Sequence, residues 1–165
     1  MNNRGIYIMN KLLCLLLSLS IFFSFTTTTY ATEYTVHDFI EYLEDGSYFT
    51  VTVTTNHTSG SAAPFSATRT GSKTTTYHSS SGSKLWSVTV TGTFTYGTGS
   101  RAACIKSAVT ANTYSTSWKI TNSSASKSGN SASASATGTQ YLNSAIINSI
   151  TKTVTLTCSV NGTLS

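Results

Sequence analysis

The sequence predicts a mainly β protein, an antiparallel β-sandwich with a short N-terminal helix, and three observations predict it. In LWSVTVTGTFTYG, alternate residues from Trp86 to Tyr96 are Trp, Val, Val, Gly, Phe and Tyr, and every residue between them is Ser or Thr. Period-two alternation gives a strand one dry face and one face of hydroxyls. The same alternation returns in SYFTVTVTT, SASASATGTQY and SITKTVTLTCSV, separated by turn residues at the spacing of short antiparallel strands. The abundance of Ser and Thr suits a disordered chain, but sustained alternation with Trp, Phe, Val and Ile argues for a packed core. An immunoglobulin-like arrangement is one form of such a sandwich, and a partly closed barrel is the alternative.

Residues 1–31 read as a secretory signal peptide. Arg4 and Lys11 precede an apolar run from Leu12 to Phe25, and small residues Thr29 and Ala31 stand before a cleavage point at Thr32. The run is shorter than the roughly 20 residues a membrane helix needs, so no transmembrane span is expected in the mature chain. Met1 and Met9 both open a complete signal, and Cys14 belongs to the discarded segment.

Residues 32–46 form an acidic segment with a predicted amphipathic helix. Val36, Phe39, Ile40 and Leu43 recur at helical spacing, Thr35 with Asp38 resembles a capping box, and Gly46 suits a C-cap. Residues 47–165 form the predicted sandwich domain. Phe49, Val51 and Val53 face inward in its first strand. NHTSGSAAPFSA is a loop carrying the only proline, Pro64. SKTTTYHSS is a polar strand, expected at an edge. Gly92 interrupts the dry face of the next strand, and its neighbour RAACIKSAVTANTY carries Cys104. STSWKITNSS places Trp118 and Ile120 in register, and a hairpin turn follows at Gly129-Asn130. The Ala/Ser strand has little volume to bury. The last strand turns Val154, Leu156 and Cys158 inward, and Thr151, Thr153, Thr155 and Thr157 outward.

All five acids, Glu33, Asp38, Glu41, Glu44 and Asp45, precede Gly46. The body beyond it carries eight cations and no carboxylate side chain: Arg69, Lys73, Lys84, Arg101, Lys106, Lys119, Lys127 and Lys152. Anionic wall polymers are therefore candidate partners. The cations are scattered and no aromatic RNA-reading motif is present, so nucleic acid is not expected. Cys104 and Cys158 form an even pair in a chain expected to be exported, which points to one disulfide worth about 4 kcal/mol by loop entropy. Two buried free thiols are the alternative.

The stretches EYLEDGSYF, LWSVTVTGTFTYG, SWKI, SGNSASASAT and above all TKTVTLTCSVNGTLS resemble a family of small secreted, uncharacterised proteins of Gram-positive bacteria. The resemblance spans roughly Ile40 to Ser165 of the chain. It implies export, a β-rich domain and pairing of Cys104 with Cys158, and it carries over no catalytic residue.

The chemical inventory argues against an enzyme. Paired carboxylates come only from the acidic segment, as Glu41 with Asp45 or Asp38 with Glu41, and short surface elements carry such pairs as solvated charges. His37, His57 and His78 are the histidines available to a triad with Asp38, but there is no G-x-S-x-G elbow. No H-E-x-x-H or C-x-x-C suggests a metal, and no cofactor is expected. Asn56, Asn122 and Asn161 match the glycosylation pattern, which a Ser/Thr-rich chain produces by chance.

The outward threonines remain: Thr50, Thr52 and Thr54, then Thr89, Thr91, Thr93 and Thr95, then Thr151, Thr153, Thr155 and Thr157. Such ladders resemble those of ice-binding proteins, without the strict repeat that keeps those faces flat. Threonine also favours strands, so the wet side of a sandwich explains them. The same face is a candidate polysaccharide surface, with Tyr77, Tyr96, Tyr114 or Trp118 as stacking residues and buried core as the alternative for Trp118 and Trp86. The expectation is an exported, non-catalytic protein, extracellular or associated with the cell wall through anionic polymers or polysaccharide. A secreted inhibitory or toxin-like effector is the alternative.

Overall fold

The computed structural model describes residues 32–57, 67–97 and 101–165. The signal segment and the Pro64 loop lie outside the described residues. Eight strands run along the described chain: β1 (Thr32–Tyr42), β2 (Tyr48–His57), β3 (Ala67–His78), β4 (Lys84–Tyr96), β5 (Ala103–Thr113), β6 (Trp118–Ser128), β7 (Ser131–Leu142) and β8 (Ala145–Thr157). They form a five-stranded sheet, β1-β2-β3-β4-β5, and a three-stranded sheet, β6-β7-β8. All pairings are antiparallel. This is the expected β-sandwich. Each sheet is a meander and neither closes into a barrel, so the Greek-key crossover of immunoglobulin domains is not found among the described residues.

The N-terminal helix expected over 32–46 is not formed. Residues 32–42 are an edge strand paired to β2 from Thr32↔His57 to Tyr42↔Tyr48, with a bulge between His37 and Phe39. The apolar spacing that reads as a helical stripe is spread over a bulged strand instead. Phe39 and Ile40 stay exposed rather than burying against a sheet. Gly46 ends a hairpin turn, not a helix. The Leu43 N–H donates to the Ser47 carbonyl at 2.8 Å, and the Gly46 N–H to the Leu43 carbonyl at 3.0 Å.

That turn occurs three times. Ser79–Ser83 and Ser159–Thr163 repeat both hydrogen bonds, and Gly46, Gly82 and Gly162 hold φ of 80°, 87° and 79° at the fourth position. A type I turn followed by a left-handed residue closes a tight hairpin, and glycine adopts that conformation without a Cβ clash. The acidic segment is therefore the first hairpin arm of the sandwich domain. Glu41 ties it to the smaller sheet through an ion pair with Lys152 at 2.5 Å, and Lys152 lies 4.4 Å from the Phe49 ring centre.

The polar strand SKTTTYHSS, expected at an edge, falls in β3 through His78, at the centre of the larger sheet. Gly71, Thr75 and Tyr77 are its buried inward residues. Leu164 of the C-terminal segment packs over Gly71, where a Cβ would meet its Cδ1 at 2.3 Å. The centre of a sheet thus accepts a polar strand because other elements bring the apolar groups to it.

The core joins large residues of one sheet to small ones of the other. Trp86, Val88, Val90 and Phe94 of β4 are buried against Ala132, Ala134 and Ala136 of β7 and Val154 and Leu156 of β8. A Cβ on Gly138 would stand 2.5 Å from the Trp86 ring, and one on Gly92 would stand 2.9 Å from the Ala132 methyl. Small residues on β7 let the aromatic row of β4 approach its backbone, which is how a strand with little volume completes a dense core. Each large aliphatic or aromatic side chain buried here contributes about 1.5–3 kcal/mol. β1 and β2 extend past the smaller sheet, whose main contacts are with β3, β4 and β5.

Candidate glycan-facing surface

The residues considered for catalysis do not assemble. His37 lies opposite Thr52 in the middle of the β1–β2 ladder, and His57 opposite Thr32 at its end. His78 is held structurally: its Nδ1–H donates to the Gly82 carbonyl at 3.3 Å, and its Nε2 lies 3.1 Å from the Thr50 hydroxyl. Glu41 faces Lys152, whereas Asp45 accepts from Ser47 within the turn. No group of three metal-ligating side chains occurs among the described residues. No helix among them is long and apolar enough to cross a membrane.

The outward hydroxyls fall on two faces. On the larger sheet, registry builds rows across the strands, Thr54–Ser72–Thr91, Thr52–Thr74–Thr89 and Thr50–Thr76–Ser87, the last of which ends in a Ser87 hydroxyl that is itself buried. Thr74 and Thr89 bond at 2.8 Å, and Thr70 and Thr93 at 3.0 Å. On the smaller sheet, Ser133 meets Thr155 at 2.9 Å, and Thr137 meets Thr151 at 2.8 Å. The threonines of β8 thus face away from those of β2 and β4. β3 and β7 add hydroxyls to these faces as well: the alternation of β7 shows this in sequence, and the register shows it for β3.

Aromatic rings terminate the hydroxyl rows of the larger sheet. One row beyond Thr50 and Thr76, Tyr48 and His78 stack with centroids 4.7 Å apart and planes at 2°. Tyr42 leans on Tyr48 at 5.5 Å and 46°. Tyr114 bonds the Ser87 hydroxyl at 3.0 Å. Tyr42 and Tyr114 are 70% and 56% exposed, while the proposed stacking residues Tyr77 and Trp118 are each 3% exposed and meet edge to face in the core. Tyr96 lies half-buried between the Arg69 guanidinium and Gly162. Of the four aromatic candidates read from sequence, Tyr114 alone stands open on the hydroxyl face. Tyr42 and His78 escape the sequence reading because the segment holding Tyr42 reads as a helix and the strand holding His78 reads as an edge; Tyr48 alternates with the outward Thr50, but its partner is set only by the register.

The cations of the body are divided. Arg69 donates to the Gly162 carbonyl at 2.5 Å, Lys152 pairs with Glu41, and Lys127 donates to the Ile105 carbonyl at 2.7 Å. Lys106 and Lys127 flank a shallow groove between β5 and β6, lined also by Ile105, Ser107, Ala125 and Ser126.

Cys104 and Cys158 are both buried free thiols, so the expected disulfide is not formed in this structure. The two residues are nevertheless anchored to one turn. The Cys104 N–H donates to the Gly129 carbonyl at 2.7 Å, and the Cys158 N–H to the adjacent Asn130 carbonyl at 3.0 Å. Burial raises both thiols above their ordinary pKa; for Cys104, the hydrogen bond to Lys106 and the Lys127 charge partly oppose it, and for Cys158 Arg69 does so.

No family model, curated protein or solved structure matches the chain.

Proposed function

We propose that this is an exported, non-catalytic protein that binds polysaccharide outside the cell, with the outer face of the five-stranded sheet as its contact surface. The observation that carries the reading is the hydroxyl field ending in Tyr42, Tyr48 and Tyr114 on one face, with the buried His78 ring stacked against Tyr48 as its support. A sugar ring offers hydroxyls at its edge and polarised C–H groups on its faces. Serine and threonine hydroxyls both donate and accept, so they match the edge. The negative face of an aromatic ring attracts the C–H groups. No carboxylate stands among the hydroxyl rows, so the surface suits a neutral chain. The signal-like segment at 1–31 supports export, with mature protein beginning at Thr32. In an oxidising exterior, thiol–disulfide exchange with a partner disulfide would join Cys104 to Cys158, each sulfur giving up one proton while the partner is reduced to two thiols.

The test is co-sedimentation of the mature chain with cellulose, chitin and purified Gram-positive walls, with and without teichoic acid, from low to high salt. Retention on a polysaccharide that persists in high salt is expected. A second reading, attraction of anionic wall polymer, is favoured by the groove between Lys106 and Lys127. It requires retention that depends on teichoic acid and fades as the screening length shortens to roughly 3 Å at 1 M salt. Absence of retention on every preparation contradicts both.

A further inference from the structure

The interior of the sandwich opens at the end opposite the cysteines. There the inward rows change from apolar to polar: Ala136 and Gly138 give way to Gln140 on β7, and Ile150 to Asn148 on β8. Gln140 and Asn148 are direct cross-strand partners. From the larger sheet, Ser47, Tyr77 and Ser79 face them across a cleft of about 240 Å³, with Trp118 and Asp45 also in its wall. Pockets for drug-sized ligands run to roughly 300–1,000 Å³, so this smaller space suits a single ring.

A relay fixes the polarity of the cleft. The Tyr77 hydroxyl donates to Ser47 Oγ at 2.9 Å, and the Ser47 hydroxyl donates to Asp45 Oδ1 at 2.5 Å. The Ser47 N–H also reaches Oδ1, at 3.0 Å. Both protons of the relay are thereby committed. Ser47 Oγ and the Tyr77 oxygen keep lone pairs as acceptors, and both bonds from Ser47 go to Asp45 Oδ1 rather than Oδ2. The two bonds from Ser47 hold Asp45 below its ordinary pKa, so it stays charged in neutral solution. Asp45 is the one charged side chain in the lining. An acceptor-rich wall with one carboxylate, opposite two amides, favours a ligand rich in donors.

We propose that this cleft binds a single polyhydroxylated ring carrying an ammonium group, an amino sugar, as the terminal residue of a glycan chain. The ligand class rests on the polysaccharide reading, but the residues are different. Ser47, the residue before β2, and Tyr77 of β3 line the cleft, while their chain neighbours Tyr48 and His78 stack on the outer side of the sheet, so a chain lying on the sheet ends beside the cleft mouth.

The test is an NMR titration of the isotope-labelled mature chain at pH 6 with glucosamine, N-acetylglucosamine and glucuronate. Glucosamine is expected to shift the Trp118 indole signal and the side-chain amide signals of Gln140 and Asn148. N-acetylglucosamine should need about two- to fivefold more sugar for the same shift, the range of one exposed ion pair, and glucuronate more again. Asp45→Asn, which keeps an oxygen for Ser47, should abolish the preference while leaving retention on polysaccharide intact. Gln140→Ala should weaken both hexosamines alike. Unmoved cleft signals, an unchanged preference in Asp45→Asn, or equal binding of glucuronate would overturn the inference. Cleft shifts without retention on any polymer would uphold it while removing the sheet-face reading, and retention without cleft shifts would do the reverse.

Discussion

Tyr48 and His78 lie face to face across the β2–β3 pairing, ring centroids 4.7 Å apart and planes within 2° of parallel. The Thr50 hydroxyl meets His78 Nε2 from below in the same strand pair. An aromatic stack therefore rises directly from the end of a hydroxyl row. Stacked pairs contribute about 0.5–1.5 kcal/mol beyond their buried area, which fixes the two rings as one platform.

Removing that platform should weaken polysaccharide retention without unfolding the chain. Tyr48→Ala and Tyr114→Ala are each expected to lower retention several-fold, since a ring–sugar contact is of the order of 1 kcal/mol, and the double variant should lose more. Trp118→Ala is the contrasting variant: it should cost about 3–5 kcal/mol of stability, because that ring is core. Sedimentation with polysaccharide beside urea unfolding separates the two effects.

Gly138→Ala should destabilise the protein by about 1–3 kcal/mol, because the added Cβ would stand 2.5 Å from the Trp86 ring and the sheets would have to part. Serine in place of the neighbouring outward Thr137 should cost far less, since it keeps a hydroxyl opposite Thr151. The difference in urea midpoint between these two adjacent substitutions checks the close approach of β4 and β7.

How far the sequence discloses this arrangement depends on the kind of signal. The alternation of Trp86 to Tyr96 and of Thr151 to Cys158 sets which residues turn inward, and the structure buries Trp86, Val88, Val90, Phe94, Val154, Leu156 and Cys158 accordingly. The turn at Gly129-Asn130 was likewise legible. The segment 32–46 was not, because its apolar residues satisfy helical spacing and a bulged strand equally well. Cross-strand pairing to β2 decides between them, and it is non-local. The platform was hidden for the same reason: Tyr42, Tyr48 and His78 meet only through the β1–β2 and β2–β3 registers.

The cysteines give a prediction with a pH sign. Burial raises both thiols in the folded state. The reduced protein therefore keeps its full stability below the ordinary thiol pKa and loses some of it as pH rises towards the folded values. The oxidised protein lacks these titrations, so its stability advantage over the reduced form should widen with pH. Urea midpoints of both forms at pH 7 and pH 10 measure this. Alkylation of the reduced protein should be slow when folded and fast in urea, whereas protein recovered from the cell exterior should resist alkylation in urea until reduced.

Gly162→Ala should loosen the C-terminal turn. The position holds φ of 79°, and a Cβ there would meet the Tyr96 ring at 2.4 Å. A loss of about 1–3 kcal/mol is expected. Because the Gly162 carbonyl is the acceptor for Arg69, faster amide exchange should appear at residues 159–165 before any change in β2.

The most direct measurement is the position of bound sugar on the sheet, read from threonine methyl signals during titration with soluble cello- and chito-oligosaccharides. Binding at the proposed face shifts Thr50, Thr52, Thr74 and Thr89 and leaves Thr151, Thr153 and Thr155 of the opposite face unmoved. Shifts confined to the smaller sheet, spread evenly over both faces, or absent at saturating concentrations of both sugars would contradict it.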